Sequence, residues 1–484
     1  MGRRASFVGS AKLVHVALPR TSFSVARRSH SLVVGRVPAP MRCVQSSLIR
    51  RPPGDSRRRL LGRPLPDGDM SMPTPRCRVA FYSHDTMGLG HMRRNLLLAQ
   101  ALQRSRLHAV VLMIAGAREA SLLTAAAGVD CVSLPSLRKD EHGQYHPRHL
   151  EVSLADLLTL RAKTACGALE AFAPDVLIVD NVPRGALREL DPVLETLRDR
   201  RRTRVVLGLR DVLDDPVTLQ REWASAQNQE AVRRYYDAVW VYGDPAVYDP
   251  VREYAFAPDV AAKARYTGYL DQRLRLTFGG EEDGGPDTIA ALGLSPGRLA
   301  LCLVGGGQDG AALAQAFEGA ELPPDTNGVL ITGPSMPDPV RRRLARRAAQ
   351  RPGRRVVSFM SEPTRLLRTA DQVVAMGGYN TVCEVLSFGK PALIVPRVKP
   401  RREQLIRAER MQALGLLEVL HPEALSPAAL TDWLARGRTP VRPARQHIDF
   451  NGLSRVPRLL EDLLGVRPRM SPRRRFRAEV HHVA

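Results

Sequence analysis

The sequence predicts an α/β protein built from two doubly wound, parallel-sheet domains, and three observations carry that prediction. Short apolar runs alternate with helical segments in two separate series. Each series contains a glycine-rich loop between a strand and a helix. A stretch rich in glycine and acid divides the two. Strands that read as continuous apolar runs are those covered by helices on both faces, the condition of a parallel sheet. With 484 residues and 44% hydrophobic content, the chain can bury two cores of ordinary domain size.

The first series opens with Arg78-Val79-Ala80-Phe81-Tyr82-Ser83, a buried strand, then a loop from His84 to Gly90. A helix follows from His91 to Leu102, with Leu96, Leu97, Leu98 and Leu102 toward the core. Further strands are expected at 109–115, 129–134, 176–180, 204–209 and 238–242. The pattern ends near Tyr254, and the N-terminal domain is taken as residues 76–266. Residues 138–149 form a long His-rich loop, either a surface excursion or a segment that helps choose a substrate. Residues 267–298 connect the domains, and Gly279-Gly280-Glu281-Glu282-Asp283-Gly284-Gly285-Pro286 is their most linker-like part. The C-terminal domain, 299–440, places strands at 299–304, 328–332, 355–359, 372–375 and 392–395. Residues 441–466 are a helical segment and 467–484 a basic tail.

Charge and cysteine usage exclude several classes. The net charge of +23 sits mainly at the two ends: residues 1–75 hold fourteen Lys and Arg against three acids, and residues 467–484 hold six against one. The body carries about +7, mild enough for a phosphate-bearing small substrate or an anionic membrane surface, and aromatic residues for base stacking are sparse. Nucleic-acid binding is disfavoured. Residues 1–50 have no Asp or Glu, the composition of an organellar transit segment or of sequence upstream of a true start at Met70 or Met72. The second is favoured, because no clean amphipathic helix is present. No run of eighteen apolar residues occurs, so any membrane contact is expected to be peripheral and the protein cytoplasmic. The six cysteines (Cys43, Cys77, Cys131, Cys166, Cys302, Cys383) are scattered without metal-ligand spacing and read as thiols of a reducing compartment. An Asp-x-Asp pair that could hold a divalent ion occurs only at Asp67-Gly68-Asp69 in the basic leader, so no catalytic metal is expected.

The most informative stretch is Met376-Gly377-Gly378-Tyr379-Asn380-Thr381-Val382-Cys383-Glu384-Val385-Leu386, followed by Gly389-Lys390-Pro391-Ala392 and, further on, Glu403-Gln404. A strand runs into two glycines, a helix opens at Tyr379, and a carboxylate lies inside its first two turns. Glycine lets backbone approach a ligand closely, and the free N–H groups of a helix start favour phosphate. Glu384 is placed to accept from the vicinal hydroxyls of a ribose. On spacing alone, a tight turn followed by a solvated glutamate explains the pattern equally well.

The wider pattern resembles the C-terminal domain of the family 28 glycosyltransferases, typified by the peptidoglycan N-acetylglucosaminyltransferases, which have the GT-B fold. Gly378, Thr381 and Glu384 fit one part of that family's pattern, Gly389, Pro391, Ala392 and Pro396 a second, and Gln404 and Ala408 a third. Tyr379 replaces a small residue, Glu403 a His and Arg407 an Asn. The resemblance implies two Rossmann-like domains facing a cleft, with the terminal helix, 453–464, packed back on the first domain. It places Gly305, Gly306, Gly307 and Gln308 against donor phosphates, and Phe359 and Met360 against the base. Glu403 and Gln404 would meet sugar hydroxyls. Gly377, Tyr379 and Asn380 join the donor site, as do Gly88 and Gly90 of the facing loop. His91, which ends Gly88-Leu89-Gly90-His91, is the candidate base for the acceptor proton, and Asp180 its orienting partner.

The activity implied is transfer of a hexosyl group from a nucleotide sugar, UDP-linked for preference, with inversion and without metal. The nucleotide sugar is co-substrate and no cofactor is required. The acceptor is open, a lipid-linked one included. A nucleotide-sugar hydrolase or 2-epimerase on the same fold is the alternative, and a non-catalytic binding protein a third.

Overall fold

In the computed structural model the described residues are 77–84, 90–117, 120, 124, 127–140, 144–278, 288–360, 362–437 and 442–466. The leader with its Asp-x-Asp pair, Gly88, the acid-rich linker core and the basic tail lie outside them.

The N-terminal sheet contains seven parallel strands: β1 (Arg78–Ser83), β2 (Val110–Ala115), β3 (Asp130–Ser133), β6 (Val176–Asp180), β7 (Arg204–Arg210), β8 (Ala238–Tyr242) and β9 (Ala264–Tyr266). Their order is β3-β2-β1-β6-β7-β8-β9. Successive residues of β1 feed opposite cores: Val79 and Phe81 pack on one face, Ala80 and Tyr82 on the other, all fully buried. This is the expected physics of a strand covered on both sides.

The C-terminal sheet repeats the plan with β10 (Arg298–Leu303), β11 (Thr326–Ile331), β12 (Arg354–Val357), β13 (Gln372–Ala375), β14 (Ala392–Ile394) and β15 (Glu418–Val419), all parallel, in the order β12-β11-β10-β13-β14-β15. In both sheets the chain reverses direction of travel beside the first strand. Loops leaving the carboxyl ends at that point splay apart, and open α/β sheets bind ligands in the crevice so formed.

Several expectations need correction. The His-rich loop contains an antiparallel hairpin, β4 (Leu137–Lys139) with β5 (Tyr145–Pro147), in which Asp140 pairs with His146 Nε2 at 2.9 Å. Three-residue strands are too short for period-two patterning to register. The edge strands β9 and β15 escaped notice for the same reason. The strand expected at 355–359 ends at Val357, leaving Phe359 and Met360 in the loop beyond it.

The terminal helix, Gly452–Leu464, packs against the helix Gly90–Gln103 of the N-terminal domain. Leu453, Val456 and Leu460 recur at three- and four-residue spacing on its buried face. The backbone N–H of Tyr269 donates to Asp449 O at 2.7 Å, and that of Gly452 to Tyr269 O at 3.1 Å. The chain thus crosses between domains twice, side by side.

Candidate active site

The two switch points face each other across a cleft of about 320 Å³. From the C-terminal domain it is lined by Gly305 to Gln308 after β10, Phe359 and Met360 after β12, Gly378 to Thr381 and Glu384 after β13, and Glu403 and Gln404. From the N-terminal domain come Gly90, His91, Arg93, Arg94 and Arg210. Asn380 Nδ2 donates across the cleft to Gly90 O at 2.8 Å, which ties the start of the helix Gly90–Gln103 to that of the helix Tyr379–Ser387.

On the C-terminal side, the helix Tyr379–Ser387 begins at Gly378 with no side-chain cap and no acid in its first turn. Its leading N–H groups therefore present unneutralised partial positive charge to the cleft. A Cβ on Gly378 would meet nothing within 4 Å, so that position is open for a ligand. Gly307 is different: at φ +92°, a Cβ there would lie 2.2 Å from Thr332 O, and only glycine lets the two loops stack backbone on backbone. Gly377 does not line the cleft. Its space is filled by Gln404, whose carbonyl oxygen would lie 3.0 Å from an added Cβ, so Gly377 serves helix packing rather than a ligand.

Glu384 is buried, and Arg93 reaches it from the other domain at 3.2 Å. Arg93 also pairs with Glu362 at 3.4 Å, and Arg275 joins Glu362 at 3.1 Å. Burial raises the Glu384 carboxyl above its ordinary value, with Arg93 and Arg275 opposing the rise. Glu403 gives one oxygen to Arg397, while its Oε2 is buried without a partner. Asn380 Oδ1 is likewise unpartnered. Both acceptors face the cleft with lone pairs that a hydrogen-bonding ligand there would use. Phe359, 45% exposed, is a wall of the cleft.

Tyr379 lines the cleft but is 3% exposed; its ring stacks on Tyr269 at 6.2 Å. The guanidinium carbons of Arg94 and Arg407 lie 5.4 and 5.7 Å from its centroid. The aromatic that departs from the family pattern is therefore a prop at the domain junction.

On the N-terminal side, His91 Nδ1 lies 2.8 Å from Asp180 Oδ2. Asp180 is at the carboxyl end of β6, one strand from β1, so the switch point itself brings the pair together. Arg94 Nη2 contacts Asp180 Oδ1 at 2.6 Å and Oδ2 at 2.7 Å. Burial alone would raise the Asp180 carboxyl, but the Arg94 guanidinium and the His91 ring outweigh it and hold the carboxyl well below the usual carboxylate range. In the tautomer that donates from His91 Nδ1 to the ionised Asp180, Nε2 keeps its lone pair; Arg94 Nη2 lies 3.1 Å from the same Nδ1.

Arg93, Arg94, Arg210, Glu362 and Arg397 escaped sequence reading. Charged side chains on helices and at strand ends default to solvent, and their partners lie far away in the chain. Arg94, three residues after His91 and so on its face of the helix, offered the one available signal. Among the described residues, no group of three or more His, Cys, Asp or Glu side chains could hold a metal ion, and no helix is long and apolar enough to cross a membrane.

The structure superposes on CalG4, the calicheamicin glycosyltransferase, with a TM-score of 0.53 at 16% identity, covering 82% of this chain and 100% of that one. The fold is GT-B. Residues 300–448 match the glycosyltransferase family 28 C-terminal domain. An uncharacterized glycosyltransferase of Methanosarcina acetivorans is 28% identical over 141 residues, 29% of this chain and 33% of that protein. The UDP-N-acetylglucosamine–N-acetylmuramyl-(pentapeptide) pyrophosphoryl-undecaprenol N-acetylglucosamine transferase of Corynebacterium efficiens is 29% identical over 170 residues, 34% of this chain and 46% of that protein. The chain thus matches less than half the length of either curated relative. The family 28 match contains Gly305 to Gln308 and every cleft residue from Phe359 to Gln404.

Proposed function

We propose that the protein is a glycosyltransferase that moves a hexosyl group from a nucleotide sugar, UDP-linked for preference, to an acceptor hydroxyl or amine, with inversion and without a metal ion. The observation that carries this reading is the uncapped start of the Tyr379–Ser387 helix facing a histidine whose Nδ1 is held by Asp180. The family 28 match of the C-terminal domain supports the donor class.

The donor diphosphate would lie at the helix start, with the ribose toward Glu384 and the sugar toward Glu403 and Gln404. The acceptor gives its proton to His91 Nε2 as its oxygen or nitrogen attacks the anomeric carbon. The bond from that carbon to the diphosphate oxygen breaks, and the nucleotide diphosphate leaves. Charge growing on the leaving oxygen is met by the helix N–H groups. Asp180 holds the imidazole tautomer and balances the imidazolium, while Arg94 keeps Asp180 ionised. Water in place of the acceptor would make the same site a nucleotide-sugar hydrolase.

Calorimetric titration of the full chain with nucleotide diphosphates tests the donor site. Glu384→Ala is expected to weaken binding by about ten-fold or more, equivalent to ~1.4 kcal/mol. His91→Ala should leave binding nearly unchanged while lowering turnover by about 10²–10⁴-fold, the usual worth of a general base. Absence of nucleotide binding by the wild type would defeat the proposal. Sugar release without acceptor, at the rate of full turnover, would convert it to the hydrolase.

A further inference from the structure

Charge bookkeeping in the cleft leaves one cation unaccounted for. Four arginines line it: Arg93, Arg94, Arg210 and Arg397. Arg93 is balanced by Glu384 and Glu362, Arg94 by Asp180, and Arg397 by Asp309 and Glu403. Arg210 has no carboxylate within ion-pairing distance among the described residues, and its Nε is buried without a hydrogen-bond partner. It ends β7, next to the β6 strand that carries Asp180, with Asp180 opposite Gly208 in the register. Burial lowers its guanidinium to about 10; Glu403 and, more weakly, Asp180 oppose that, and the positive Arg407 and Arg94 add to it. A half-buried guanidinium crowded by two others is costly unless something negative joins it.

Glu403 Oε2, also unpartnered, belongs to the same cleft. Arg210 and Glu403 are charges of opposite sign that do not pair directly, which is the arrangement expected when a ligand carrying both an anionic group and hydroxyls fits between them. The diphosphate is already provided for at the helix start on the opposite domain, whereas Arg210 sits on the side of the base. Resting on the glycosyltransferase reading, we infer that the cleft receives a second anionic group, distinct from the donor diphosphate, and that Arg210 binds it beside His91. A phosphate or carboxylate meets a planar guanidinium fork in the same geometry. The group therefore belongs either to the acceptor or, as a uronic carboxylate, to the transferred sugar.

The test uses the full chain and Arg210→Gln, with Arg210→Lys as the charge-preserving control. Removing a half-buried charge that has no ion-pair partner is not expected to lower the melting temperature, so loss of binding cannot be ascribed to unfolding. UDP is titrated first, and Arg210→Gln is expected to bind it as the wild type does. On UDP-saturated protein, inorganic phosphate is expected to bind the wild type at least about ten-fold tighter than Arg210→Gln, with Arg210→Lys between; that result, with no preference for UDP-glucuronate over UDP-glucose, assigns the anion to the acceptor. A preference for UDP-glucuronate over UDP-glucose of about ten-fold in the wild type, lost in Arg210→Gln, assigns it to the donor sugar.

If Arg210→Gln weakens UDP itself by that factor, Arg210 belongs to the diphosphate and the inference is overturned. It is overturned equally if UDP binds but neither phosphate affinity nor the uronate preference depends on Arg210. Should no nucleotide bind at all, the donor reading fails separately. Phosphate titration of the free protein, compared across the same variants, then decides the anion site by itself.

Discussion

Asp180 does two tasks that a single substitution would separate. It accepts from His91 and it neutralises Arg94, which is 2% exposed. Asp180→Asn keeps the shape and leaves the arginine buried without a counter-charge, a loss expected to cost about 3–5 kcal/mol in a denaturant melt. Adding Arg94→Met should return much of that stability but none of the turnover, because the imidazole would still lack its acceptor. The pH dependence follows from the depressed carboxyl. Stability contributed by a group of this kind is complete above its unfolded value of about 3.9 and is lost as pH falls toward the folded value. The gap between wild type and Asp180→Asn should be flat from about pH 5 to 8 and narrow below about pH 4. At this scale the sequence shows His91 and Asp180, because strand ends and glycine loops mark themselves. It hides Arg94, since a helical arginine three residues after a histidine resembles any solvated face, and the carboxylate that captures it is 86 residues away.

The elements around the cleft use glycine for unlike reasons, which substitution can tell apart. Gly378 has φ −63° and ψ 145°, open to any residue, and empty space where a Cβ would go. Gly378→Ala is expected to melt with the wild type yet bind nucleotide diphosphate about ten-fold more weakly, as the methyl stands in the ligand's approach. Gly307→Ala should do the reverse at the level of folding, lowering stability by about 1–3 kcal/mol through its left-handed φ and the backbone oxygen it would strike. The strand–glycine–helix order is legible because apolar runs, turn residues and helical spacing are all local. The short strands β4, β5, β9 and β15 are not, since their pairing is decided by neighbours distant in sequence. Gly377 shows the same boundary. Its type says that something approaches closely, and only the fold says that this is the backbone of Gln404 and not a phosphate.

Across the whole molecule, the loop after β7 is tied to the start of the helix Glu403–Ala413 in the other domain. Arg407 and Asp211, both fully buried, pair with Nε and Nη2 within 2.6–3.0 Å of the carboxylate, and Arg407 also donates to Gly377 O and Val212 O. Tyr269 OH donates to Asp211 Oδ2 at 3.0 Å, and Arg401 pairs with Asp214 at 2.8 Å. Arg407→Asn, which restores the residue usual in the family pattern, should destabilise the protein by about 3–5 kcal/mol by stranding Asp211. Asp211→Asn paired with it should relieve the loss, a coupling that a double-mutant cycle measures. The sequence marks Arg407 as unusual without revealing why, because its partner is 196 residues earlier.

At the mouth, by contrast, Glu384 is already in the grip of Arg93. Arg93 holds only Oε1, so a ribose whose two vicinal hydroxyls take both oxygens of that carboxylate must displace the arginine from one of them. Donor association would then be limited at high concentration by the rate of that exchange and no longer by collision. In stopped-flow mixing, the observed rate should level off with nucleotide concentration in the wild type and rise linearly in Arg93→Ala.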